Sequence, residues 1–154
     1  MKKVIIGALA AAVISTGFAM AASHVGAIDA RKAAMKEVGG AMGAMAKMAK
    51  GEADFDAAVV LASLQKINEV SKTFADHFPA GSETGMASDG KETTVAPKIW
   101  EDMDGFKAAI MKLDTDTAAA IAAAPQSLEE LGPVLGSVGG NCKACHETYR
   151  VKTQ

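Results

Sequence analysis

The chain has 154 residues, 49% of them hydrophobic and 22% charged, with a formal net charge of -2, two cysteines and three histidines. That length holds one domain of about 130 residues behind an export segment, enough for a single core and too little for two. The acidic balance argues against nucleic acid as a partner.

Met1 to Ala21 reads as an export signal: Lys2 and Lys3, an apolar run from Val4 through Ile14, then Ala19-Met20-Ala21 as a small-residue cleavage site. An uncleaved anchor is the alternative. The run is Ala-rich, interrupted by Ser15 and Thr16, and followed by no basic stop-transfer cluster, which favours cleavage. No cysteine follows that would carry a lipid. The expectation is a periplasmic domain over residues 22–154 that does not span the membrane. Losing Lys2 and Lys3 takes the charge from -2 to -4.

No strand-like alternation runs through the rest, whereas helical spacing recurs four times, so the fold class is all-α. The first helix, about Ser23 to Lys50, puts Ile28, Arg31, Met35, Val38, Met42, Met45 and Ala49 on one stripe. Arg31 on that stripe either snorkels to the edge of the core or pairs with an anion inside it. The second runs from near Asp54 to about Phe78, with Val60, Leu64, Ile67, Phe74 and Phe78 inward, and Pro79 closes it. From Pro79 to about Ala96 the chain is rich in Gly, Ser, Thr and charge, the signature of a long, exposed, mobile crossover loop.

The third helix starts near Pro97 and carries Ile99, Met103, Phe106, Ile110 and Leu113 inward before an alanine-rich tail to Ala124. Trp100 lies beside that stripe. The fourth opens with the capping box Ser127 to Glu130, and its stripe reads Leu128, Leu131, Leu135, Val138, Cys142, Cys145 and Tyr149. Pro133 should bend it or mark its true start. Gly139 and Gly140 should admit close approach of a neighbouring helix or a flat ligand.

Cys142, Cys145 and His146 form a Cys-x-x-Cys-His pattern, the spacing of covalent c-type haem attachment. Each thiol can add across one vinyl group, and the histidine then lies beneath the iron. A thioredoxin-like redox pair needs a preceding strand, and none precedes Gly139. Zinc wants four ligands, and His24 and His77 are remote in sequence. A disulfide across so short a loop is strained. Because both cysteines fall on the core-facing stripe, a haem hung there lies inside the bundle, and a propionate would be a partner for Arg31.

Few residues follow His146, so a sixth iron ligand must come from upstream. The candidates are Met35, Met42, Met45, Met48, Met103, Met111, His24 and His77. Methionines also serve as core filler beside a cofactor. Met35, mid-stripe and one turn beyond Arg31, is the favoured position. A copper site of Met42, Met45 and Met48 is disfavoured because three-residue steps drift around the helix.

The run from Arg31 through Met35 to Gly39, then Phe78-Pro79-Ala80-Gly81, then Pro97-Lys98-Ile99-Trp100, and finally Cys142 to Arg150, resembles the class II c-type cytochromes in order across nearly the whole mature chain. That group includes cytochrome c′ and cytochrome c-556. The resemblance implies an antiparallel four-helix bundle with one haem c bound by Cys142 and Cys145. His146 would be the proximal ligand, Arg31 would stand near the propionates and Arg150 near the proximal face. In the c-556 branch a methionine matching Met35 ligates the iron. In the c′ branch the residue there only crowds an open site that takes up nitric oxide or carbon monoxide, and homodimers built on the first two helices are common. The expected function is electron transfer, with gas binding as the alternative. No acid–base pair or nucleophile accompanies the motif to suggest an enzyme. A redox partner with a basic docking face suits the negative charge.

Overall fold

A computed structural model describes the backbone of residues 16–151 and the side chains of residues 24–151. The export segment expected over Met1 to Ala21 lies outside the described residues up to position 15, and its cleavage site carries no described side chains. Among the described residues, no helix is long and apolar enough to cross a membrane.

Among the described residues, four long helices, α1 (Thr16–Ala49), α2 (Ala57–Phe74), α4 (Met103–Ala123) and α5 (Leu128–Tyr149), are joined by short connections except between α2 and α4, where residues 75–97 and a single turn, α3 (Lys98–Glu101), intervene. Each long helix packs against two others, in the order α1, α2, α4, α5 and back to α1. Neighbours run antiparallel. Asn68 of α2 meets Asp114 of α4 while Phe74 meets Phe106, and Asp116 of α4 meets Asn141 of α5 while Asp102 meets Tyr149.

Local chemistry sets the helix ends. α1 stops where Gly51 takes φ +73°, with Gly51 N–H donating to the Met48 carbonyl and Glu52 N–H to that of Lys47. This is the paired closure that a left-handed residue permits. Asp56, two residues beyond the expected start of α2, accepts from the backbone N–H groups of Ala58 and Val59. At α5, Ser127 Oγ accepts from Glu130 N–H as the capping box requires, but Glu130 reaches back to Gln126 N–H at 2.6 Å instead of the cap residue. Pro133 lies inside α5, past its first turn, and does not mark the start of the helix. It forgoes one backbone bond there.

The core divides into two clusters. Met45, Met48, Val60, Leu64, Ile67, Leu131 and Val138 fill one, and Phe74, Phe78, Ile99, Phe106, Ile110 and Tyr149 the other. Met35 packs against both. The predicted stripes hold with two exceptions at helix termini: Met48 is buried in place of the exposed Ala49, and Leu128 is 46% exposed. In the last turn of α1 and the first of α5, position on the stripe does not guarantee a facing neighbour.

Two further expectations are corrected. The helix predicted from Pro97 is broken at Asp102, whose φ of -141° and ψ of 56° separate α3 from α4. Asp102 Oδ1 accepts from Gly105 N–H and caps α4, so the acid competes successfully with continuation of the helix. The segment over 79–96 is not a free loop. Ser82 is fully buried and Ala87 nearly so. Asp29 accepts from Ser88 N–H, Lys32 pairs with Asp89 at 2.6 Å, and the segment's end bridges Arg150 through Val95. The first two of these anchors leave a single turn of α1.

Gly105 is required where it stands. A Cβ there would lie 2.5 and 2.7 Å from the Asp102 carboxylate oxygens and 2.7 Å from the Tyr149 hydroxyl. Gly105→Ala is expected to cost about 1–3 kcal/mol, the usual penalty for forcing an extra carbon into a filled site, read as a lower midpoint in urea.

Candidate haem site

A cavity of about 1350 Å³ opens between α1 and α5 and adjoins both core clusters. It exceeds the roughly 300–1,000 Å³ of ordinary small-molecule sites. Cys142, Cys145, His146 and Arg150 line it from α5 and the residue following, and Arg31, Met35 and Met42 from α1. All six residues singled out from the sequence therefore meet at one place. Among the other suggested ligands, Met42 also faces the cavity, whereas Met45 and Met48 are buried in the core cluster below it. His24 packs on the Gly81 turn and His77 sits edge-on to Phe74 at 6.5 Å. Neither lines the cavity.

Cys142 and Cys145 are half-buried free thiols. Burial pushes both thiol pKa values up, and at Cys145 the neighbouring Cys142 adds to the effect. A redox-active pair would be tuned downwards, toward thiolate. Partial desolvation pulls the His146 imidazole down, and the positive charge of Arg150 adds to it. That favours neutral imidazole, the form with a lone pair free for a metal.

Arg31 is 4% exposed. Its Nη1 donates to Ser82 Oγ at 3.2 Å and its Nη2 to the Ser82 carbonyl at 3.0 Å. The guanidinium lies 4.9 Å from the Phe78 ring centroid and 6.0 Å from that of Trp100. It does not snorkel. Burial lowers its pKa, with Glu83 partly opposing, yet guanidinium stays charged in proteins. Among the described residues its Nε is buried with no acceptor. A buried cation with a spare donor is costly unless an anion completes it. An anionic group entering the cavity would supply that acceptor, and the two thiols and imidazole opposite are the donor set of a covalently held haem. The residues fit the group.

Sequence reasoning missed the far wall. Glu83, Thr84, Lys91, Glu92, Thr93 and Thr94 of the long connection all line the cavity. No periodicity announces them, because their positions follow from anchors to α1 dozens of residues earlier. Tyr149 was placed on the inward stripe, but not its partner: its hydroxyl donates to Asp102 Oδ2 at 3.1 Å across 47 residues of sequence. Burial, then Asp102, raises the Tyr149 pKa. A raised folded pKa means this bond stabilises fully below the ordinary tyrosine value near 10 and fades as pH rises through the folded value. The gap in denaturation midpoint between wild type and Tyr149→Phe should be constant below about pH 10 and shrink above it. Gly139 has only an ordinary contact with Met42, and Gly140 faces open space. Among the described residues no neighbouring helix comes close at either glycine, while Gly139 lines the cavity that a flat ligand would enter.

The family model described as Cytochrome C' matches residues 26–150. Cytochrome c-556 of Agrobacterium fabrum (strain C58) is 43% identical over 127 residues, covering 82% of each chain. Cytochrome c' of Rhodopseudomonas palustris is also 43% identical, over 143 residues, covering 91% of this chain and 90% of the relative. The solved structure of cytochrome c' from that organism superposes with a TM-score of 0.76 at 41% identity, covering 83% of this chain and 98% of the other. The four-helix bundle agrees with these likenesses, and the chain belongs to the cytochrome c′ family, carrying one covalently attached haem c.

Proposed function

We propose that this chain is a periplasmic electron carrier of the c-556 kind. In this reading Cys142 and Cys145 hold the haem through two thioethers, His146 is the proximal ligand and Met35 the distal one. Arg31 takes a propionate with its free Nε, and Arg150 sits by the proximal face. The observation that carries the reading is Met35 itself, lining the cavity from α1 while the haem-binding motif lines it from α5. Methionine there packs against both core clusters, so its thioether is held on two sides.

When bound, the haem supplies a one-electron couple, and histidine with methionine raises its potential. The residues do the rest. Phe74, Phe78, Phe106 and Ile110 keep water from the inner wall, and Arg31 offsets negative charge at the edge. With His146 from α5 and Met35 from α1 both holding the iron, its surroundings would change little between oxidation states, which suits electron transfer. A second reading rests on the equal 43% identity to a cytochrome c': an open distal side that takes nitric oxide or carbon monoxide. Spectra of the purified protein in both oxidation states separate the two. Low-spin iron with a thioether-to-iron band supports the carrier. A high-spin resting spectrum with stoichiometric carbon monoxide uptake overturns it in favour of gas binding.

A further inference from the structure

We infer that two carboxylates, Asp102 at the cap of α4 and Asp116 within it, are positioning residues that grip α5 on either side of the haem-binding stretch and so fix how His146 meets the cavity. The inference rests on the reading of His146 as proximal ligand. A metal-bound imidazole is ordinarily oriented by a partner on its other ring nitrogen. Among the described residues the His146 side chain has no hydrogen bond within the protein. His146 is exposed on α5, so within the protein its placement depends on how α5 is held.

Two grips flank the motif. On one side Asn141, next to Cys142 and buried, donates to Asp116 Oδ2 at 2.7 Å. The Ser137 hydroxyl reaches the same oxygen at 3.3 Å, and Lys112 pairs with it at 2.6 Å. Lys112 first, then Asn141, holds the Asp116 pKa down, so the acceptor is an anion and the bond charge-assisted. On the other side Tyr149 donates to Asp102 Oδ2 while Oδ1 caps α4. The Tyr149 ring packs edge-on to Phe106 at 5.2 Å, and its carbonyl accepts from Ala96 N–H at 2.9 Å. Gly105 leaves the room in which acid and phenol meet. At 1.5 Å per residue, the eight steps from Asn141 to Tyr149 span about 12 Å. Both thiols and the imidazole fall within that clamped interval.

The test uses haem-loaded wild type, Tyr149→Phe, Asp116→Ala and, as a stability control away from the cavity, Val60→Ala. Tyr149→Phe keeps the α4 cap, and Asp116 lies near the surface, so the two probe the grips independently. Three quantities are read: the electron paramagnetic resonance anisotropy of the oxidised iron, the rate at which dithionite reduces it, and the thermal midpoint. Each grip variant is expected to change the anisotropy and to shift the reduction rate by about tenfold, the lower end of the usual effect of a partner behind a metal ligand. Val60→Ala should lower the midpoint and leave the other two unchanged. Grip variants with wild-type anisotropy and rate, or a Val60→Ala that moves them equally, would overturn the inference. The paramagnetically shifted imidazole resonance set in the proton magnetic resonance spectrum of the oxidised wild type reads the histidine ligand separately. Its absence would count against the proposed function and not against the grips as helix anchors.

Discussion

Replacing Met35 with alanine is expected to turn a six-coordinate, low-spin haem into a five-coordinate one that takes up carbon monoxide stoichiometrically when reduced. The thioether-to-iron band should vanish and the potential fall, since methionine ligation raises it. The side chain is only half-buried, so its loss should cost stability near the lower end of the ~2–5 kcal/mol seen for buried methionine truncation. Met42→Ala is the control. Met42 lines the same cavity from the same helix, and its truncation should cost similar packing energy while the iron stays low-spin. If both variants behave alike, Met35 is lining and not ligand.

Depriving the chain of haem, by Cys142→Ala with Cys145→Ala in a host starved of the cofactor, is expected to leave a molten bundle. Dry cavities cost about 24 cal/mol per Å³. Even a third of the 1350 Å³ held as dry void would cost about 10 kcal/mol, comparable with the ~5–15 kcal/mol by which whole domains are stable. The empty bundle is therefore expected to close in on the cavity or admit water, loosening its packing. The haem-free protein should keep much of its far-ultraviolet helical signal, lose near-ultraviolet dichroism and bind a hydrophobic dye. Cooperative unfolding with a native near-ultraviolet spectrum would show that the two core clusters support the fold unaided.

Much of this could be read from the sequence because helical periodicity is a local property. It placed Ile28, Arg31, Met35 and Val38 on one stripe of α1, the stripe that lines the cavity, and it put Cys142, Cys145 and Tyr149 inward. Periodicity reports which way a residue faces, not what it meets. Ser82 looked like part of a polar loop, yet it is fully buried as acceptor for an arginine 51 residues away. Asp102 lies off the inward stripe of the helix predicted from Pro97. Its tyrosine partner, and the glycine that admits both, come together only after α5 has returned along α4. The motif alone could not give the second wall of the cavity, because that wall is built from anchors to α1 that leave no pattern of their own.

The claim that bears most weight is that both sulfurs of the last helix are bonded to one haem. Trypsin offers a direct test, because Lys143 lies between Cys142 and Cys145. Digestion there should yield the peptides ending at Lys143 and Arg150 still joined, migrating as one species with haem absorbance and a mass equal to both peptides plus the cofactor. Two separate peptides with free thiols, or haem on only one of them, would contradict the account.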